Sequence, residues 1–142
     1  MPGDPLFSQR FSIQGKDFLN AGKASSRIKG ILRDIGIQPS VIRRVTIACY
    51  EAEMNVVLYA RQGTIELRVT PQDIRIRVED EGAGIPDLEL AMQEGYSTAS
   101  DDIREIGFGA GMGLPNIKKN ADELTIDSIV GTGTTLEMLV RL

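Results

Sequence analysis

Thr64-Ile65-Glu66-Leu67-Arg68-Val69, followed after a break by Asp73-Ile74-Arg75-Ile76-Arg77-Val78-Glu79, decides the architecture of this chain. In both stretches an apolar residue alternates with a polar or charged one, the period of a strand with one dry and one wet face. Pro71-Gln72-Asp73 brings turn chemistry between them, so the segment reads as an antiparallel hairpin. A sheet that is apolar on one face only needs a layer of helices to cover that face.

Upstream, Arg10 to Ile13 reads as a short strand with Phe11 and Ile13 on one face. A helix is expected from about Lys16 to Asp34, because Phe18, Ala21, Ala24, Ile28, Ile31, Leu32 and Ile35 recur every three or four residues. Gly36 is placed to stop it. A second helix opens at Pro39, a residue suited to a first turn, and runs to about Ala60, with Gln62-Gly63 ending it.

Downstream, Glu81 to Gly113 reads mostly as loop, with one short helix after Pro86. A third helix starts in the glycine-rich segment and runs through Leu114, Ile117 and Ala121. Two last strands, Glu123 to Ile129 and Thr134 to Leu142, flank the turn Val130-Gly131-Thr132-Gly133. The order β-α-α-β-β-loop-α-β-β predicts an α+β two-layer sandwich: a mixed, largely antiparallel sheet with helices on one face. No repeat, low-complexity tract or linker divides the chain, so residues 1–142 read as one domain.

Composition narrows the function classes. Hydrophobic residues make up 42% and charged residues 25%, which places the chain among ordinary globular proteins. The net charge of −4, with both signs interspersed, argues against nucleic acid as the main ligand. Charged or polar residues interrupt every apolar stretch before membrane-spanning length, and Met1 to Leu6 lack the pattern of a signal peptide, so the cytoplasm is the expected compartment. The absence of histidine removes His-based triads and any phosphohistidine on this chain. Cys49 lies in an apolar helical pattern and reads as a small core residue.

Four places carry chemistry. Glu51 and Asn55 are four apart on the second helix and share a face. A carboxylate there can act as a general base, and an amide oxygen can ligate a hard cation; in isolation the pair reads as an ordinary polar helix edge. Glu53, between them, points to another face and reads as solvated. Asp80-Glu81-Gly82-Ala83-Gly84-Ile85 follows a strand, which puts a carboxylate at the mouth of the sheet and lets the backbone approach a flat ligand. Gly107-Phe108-Gly109-Ala110-Gly111-Met112-Gly113-Leu114 sets glycines at alternate positions before a helix, where N–H groups can wrap phosphate oxygens. It is neither a Walker A motif nor a Rossmann fingerprint. Gly131-Thr132-Gly133-Thr134-Thr135 alone is only a hairpin turn, with Thr134 able to offer a hydroxyl.

In this order, the four segments resemble the N, G1, G2 and G3 boxes of the GHKL (Bergerat-fold) ATPase superfamily, each on the expected element. Within it the chain looks like the small bacterial kinases of the anti-sigma and stressosome-switch group. It lacks the transducer domains of gyrase, Hsp90 and mismatch-repair ATPases, and the phosphoacceptor His and dimerisation helices of a sensor histidine kinase. Asn55-Val56-Val57-Leu58-Tyr59-Ala60 and Gly95-Tyr96-Ser97-Thr98 look most like the stressosome switch kinases, the RsbT type.

The resemblance implies ATP and Mg²⁺ as cofactors, with Asn55 ligating the metal. It implies that Asp80 pairs with the adenine amino group beside Gly82, Gly84 and Ile85, helped by Thr134 through ordered water. Gly109, Gly111, Met112, Gly113 and Leu114 would shape the lid over the phosphates, and Glu51 would accept the proton of an incoming serine or threonine hydroxyl. The implied substrate is a STAS-domain protein of a stressosome scaffold, with a PP2C-type phosphatase as a later partner. The alternative is an anti-sigma factor that binds a sigma factor and phosphorylates its STAS-domain antagonist. A mechanical ATPase fits least, since the chain leaves no room for a transducer domain.

Overall fold

The structure, a computed structural model, describes residues 7–84, 92 and 113–142. Its elements are β1 (Phe7–Gln14), α1 (Lys23–Ile35), α2 (Pro39–Tyr59), β2 (Ala60–Val69), β3 (Asp73–Gly82), α3 (Gly113–Asn120), β4 (Glu123–Ile129) and β5 (Gly133–Arg141). The strands form one sheet in the order β1-β2-β3-β5-β4, and every neighbouring pair is antiparallel.

Register turns the alternation of single strands into continuous rows. Phe11 faces Ile65, Ile65 faces Val78, Val78 faces Leu136, and Leu136 faces Ile126, so one apolar row crosses all five strands. Leu67, Ile76 and Met138 form a second row, continued by Leu124 on the edge. Ile28 and Leu32 of α1, Val45, Ala48 and Val56 of α2, and Ile117 of α3 are buried in the same core. Each such Ile or Leu contributes about 1.5–3 kcal/mol through burial.

The opposite face is wet and charged. Arg10 pairs with Glu66 at 2.7 Å and Arg77 with Glu137 at 2.9 Å, matching their cross-strand positions. The arginines are at least half exposed, so these pairs add little to stability.

Three expectations need correction. The first helix starts at Lys23, not near Lys16. Lys16 has a φ of 61° and Gly22 a φ of 92°, both left-handed, and Asn20 Nδ2 donates to Asp17 Oδ2 at 2.8 Å, so local side-chain bonding holds a turn where apolar spacing suggests a helix. The helix does end at Gly36, whose N–H donates to Arg33 O while that of Ile37 donates to Leu32 O. Second, Gln62-Gly63 lies inside β2, which begins at Ala60 directly after α2 with a register shift between Ala60 and Gln62. Third, Glu53 is not solvated.

Glu53 is 2% exposed and bound on both oxygens. Oε1 accepts from Ser25 N–H at 3.0 Å and Ser25 Oγ at 2.6 Å; Oε2 accepts from Gly22 N–H at 2.9 Å and Ala24 N–H at 3.4 Å. These N–H groups open α1, which has no capping side chain of its own. A carboxylate from α2 therefore caps α1 across the helix interface, on the side where the helix dipole favours negative charge.

Glu53→Ala will leave the buried donors unpaired and lower unfolding stability by about 3 kcal/mol. Glu53→Gln, with one acceptor oxygen in place of two, will cost roughly half of that. The urea midpoint at unchanged slope measures both.

Candidate functional site

Half-buried polar side chains gather at the corner between the C-terminal half of α2 and the start of α3, and again at the end of β3. The α2 helix is covered on most sides, because α1, α3 and the sheet all pack on it. Glu51 and Asn55 lie on one of its faces and are partly exposed. The first residue of α3 presses on them: a methyl group built on Gly113 would stand 3.2 Å from Asn55 Oδ1 and 3.6 Å from Glu51 Oε2. Asn116, one turn along α3, donates from Nδ2 to Glu51 Oε1 at 3.3 Å. The opening N–H groups of a helix have no intrahelical partner and favour anions. Here such a helix start adjoins an amide oxygen and a carboxylate.

Asp80 sits near the end of β3. Ala60, which follows α2 directly, pairs with Gly82, two residues past Asp80, and this pairing brings the end of the helix to the end of the strand. Asp80 Oδ1 accepts from Thr134 N–H at 3.1 Å. Burial pushes the Asp80 carboxyl above the usual carboxylate range, and the Thr134 N–H pulls it partly back. The Thr134 hydroxyl is 2.8 Å from that of Ser128, its partner in the β4–β5 register.

Two glycines have structural reasons of their own. Gly84 has a φ of 76°, and a methyl there would come 2.6 Å from Ile129 O. Gly133 has a φ of 154°, and a methyl there would fall 2.0 Å from Asp80 O. The β4–β5 turn can thus lie flush on the end of β3, where Gly82 N–H donates to Thr132 O at 3.1 Å and Gly131 N–H to Ala83 O at 2.8 Å. The Asp-x-Gly-x-Gly segment and the final hairpin form one assembly that holds Asp80 and Thr134 together.

Among the expected site residues, Glu51, Asn55 and Gly113 converge, and Asp80, Gly82, Gly84 and Thr134 form the neighbouring assembly. Leu114, 8% exposed, packs its side chain in the hydrophobic core. Ile85, Gly109, Gly111 and Met112 lie outside the described residues, as do Gly95-Tyr96-Ser97-Thr98 and the short helix expected after Pro86. Asn116 and Ser128 were missed. Asn116 stands three residues after Gly113 and so shares its helix face, and Ser128 mirrors Thr134 across the hairpin; both signals are visible once the elements are paired.

No group of three or more His, Cys, Asp or Glu suited to a metal occurs among the described residues. The donors at the corner are hard oxygens, one amide and one carboxylate. They suit a Mg²⁺ ion that takes one or two protein ligands and completes its shell with phosphate and water. No helix among the described residues is long and apolar enough to cross a membrane.

Residues 19–140 match the family described as histidine kinase-like ATPase domain. The serine/threonine-protein kinase RsbT of Bacillus subtilis (strain 168) is 30% identical over 115 residues, covering 78% of this chain and 80% of that protein. The anti-sigma F factor of Caldanaerobacter subterraneus subsp. tengcongensis is 35% identical over 102 residues, 68% of each chain. The Pseudomonas aeruginosa SiaB–SiaC complex contains a similar fold, with a TM-score of 0.63 and 13% identity over 93% of this chain and 88% of that one. A Mycobacterium tuberculosis structure of RsbU and RsbW domains aligns with a TM-score of 0.57 and 18% identity over 94% of this chain, which spans 32% of that one. With the family matched over most of its length and a carboxylate–amide pair seated against a helix start, this chain belongs to the histidine kinase-like ATPase domain family.

Proposed function

We propose that the chain is an ATP-dependent protein serine/threonine kinase that phosphorylates a STAS-domain regulatory partner in a bacterial partner-switching pathway. The observation that carries this is the convergence of Glu51 and Asn55 on the first turn of α3. The kinase relative and the family match support it.

In this proposal Asp80 accepts a hydrogen bond from the exocyclic amine of adenine, which favours adenine over guanine. The α3 start faces the phosphates. Asn55 holds Mg²⁺, which supplies charge neutralisation at the phosphate oxygens when bound. Glu51, oriented by Asn116, accepts the proton of a serine or threonine hydroxyl. The hydroxyl oxygen bonds to the γ-phosphorus as the bond from that phosphorus to the bridging oxygen breaks, and ADP leaves. A stressosome scaffold is the proposed source of the STAS partner, and a PP2C-type phosphatase the proposed second partner.

A second function has its own support. Anti-sigma F factors are among the relatives, so a chain that holds a sigma factor and phosphorylates its STAS-domain antagonist is the alternative. Stoichiometric co-purification with a sigma factor would favour it over the switch kinase.

The test is phosphotransfer from labelled ATP to a panel of STAS-domain proteins. Glu51→Gln will keep ATP affinity and lose transfer by about 10²–10⁴-fold. Transfer at the wild-type rate in that variant would remove Glu51 as the base. Asp80→Asn will weaken ATP binding by about a hundredfold, as expected for a charged hydrogen bond lost in a part-buried site. An unchanged affinity would remove the adenine assignment.

The raised Asp80 pKa adds a pH signature. ATP binds the ionised form, so affinity falls as pH drops through a value above the ordinary carboxylate range. The same raised pKa means that the folded state holds this proton more tightly than the unfolded chain does. Asp80 therefore contributes stability at low pH that is lost as pH rises through its folded value. Calorimetric titration across the acid range, beside circular dichroism, will show this group's loss of ATP binding before any loss of fold.

A further inference from the structure

Between the turn that precedes α1 and the outer side of α2 runs an open groove of about 620 Å³, lined by Leu19, Gly22, Lys23, Ile47, Tyr50 and Glu51. Leu19 is 89% exposed and Tyr50 40%. Isolated apolar residues on a surface carry no message; here two flank one concavity. The wall is anchored at both ends. Lys16 N–H donates to Val57 O at 2.7 Å, the Lys16 ammonium to the Leu58 carbonyl, and Gly22 N–H to Glu53 Oε2 at 2.9 Å. The Tyr50 ring lies over Gly22, where an added methyl would come 3.4 Å from Cε2.

Two observations identify the occupant. Glu51 lines the groove and also accepts from Asn116 in the site above, so a chain lying in the groove brings a side chain to that carboxylate. The exposed side of α1 carries Lys23, Arg27, Lys29 and Arg33 against Asp34 alone, in a protein whose net charge is −4. Such a local excess of positive charge steers an acidic surface onto α1.

We propose that this groove seats the acceptor segment of the protein substrate, an inference that rests on the kinase function proposed above. The hydroxyl-bearing residue reaches Glu51, an apolar neighbour packs against Leu19 and Tyr50, and acidic flanks lie over α1. Leu19 and Tyr50 then set which serine or threonine is used. Glu53 is a positioning residue for the wall, through its bonds to Gly22, Ala24 and Ser25.

Leu19→Ser and Tyr50→Ala are assayed with labelled ATP and a phosphorylatable STAS-domain protein as the probe. Each will raise the KM for the acceptor about tenfold while ATP affinity stays at its wild-type value. Unchanged acceptor KM in both variants overturns the proposal, and so does a collapse of ATP affinity in Leu19→Ser, which would assign the groove to nucleotide. Leu19→Cys gives a second readout, because the chain's one native cysteine, Cys49, is fully buried. A short thiol-to-amine cross-link from position 19 will map within a few residues of the phosphorylated residue; a map to another face of the acceptor overturns the assignment. If the wild-type chain binds ATP yet labels no STAS protein, the kinase function falls and this inference with it. Transfer with unaltered KM in the variants removes this inference alone.

Discussion

The fold turns on one buried carboxylate. Glu53 leaves α2 between Glu51 and Asn55 and ties down three N–H groups and one hydroxyl at the head of α1. A helix start buried against a neighbour would strand its first donors at a cost of roughly 1–3 kcal/mol each. By meeting those donors from α2, Glu53 makes the α1–α2 contact a condition of folding and not a by-product of it. Any shift of α1 along α2 would break several bonds at once. The two site residues on either side of Glu53 inherit that rigidity, so the positions of Glu51 and Asn55 are set by an interaction that faces away from them.

The second half of the site is held by backbone. Gly84 and Gly133 let the β4–β5 turn lie flat on the end of β3, and the Thr134 N–H then reaches Asp80. Burial makes the Asp80 charge costly, and a single N–H offsets only part of that. Such a group is short of partners and well suited to an incoming donor. Rigid strands thus hold an acceptor whose charge is only partly compensated.

Strand alternation and helix period are local properties, and the elements they govern were legible in sequence. The hairpin of β2 and β3, the long second helix from Pro39, the final hairpin and the stop at Gly36 all follow from spacing and turn chemistry. Local period misplaced the start of α1, since Phe18 and Ala21 fit a helical stripe while Gly22 and the Asp17–Asn20 bonding impose a turn. It also misjudged Glu53, whose burial depends on α1 arriving from elsewhere in the chain. Within the candidate site, Glu51, Asn55, Asp80 and Thr134 were singled out by the order of four motifs along the chain, since the segments of Glu51, Asn55 and Thr134 read as ordinary helix edge or turn when taken alone. Asn116 and Ser128 gain meaning only from the partners opposite them, Glu51 and Thr134. Leu114, beside the glycine motif, has its side chain in the core.

The strand order β1-β2-β3-β5-β4 divides the sheet into a contiguous amino-terminal half and a carboxy-terminal hairpin that docks on β3. That docking is non-local, because β3 ends at Gly82 and β5 begins at Gly133, with α3 and β4 between them. Loop-closure entropy grows only with the logarithm of length, so doubling such a connection costs about 0.6 kcal/mol. The β3–β5 ladder, once formed, is therefore nearly indifferent to how many residues intervene. One residue added within either hairpin, by contrast, would turn the apolar row that crosses all five strands towards water. Register shared by five strands therefore constrains this scaffold more tightly than the number of residues between β3 and β5.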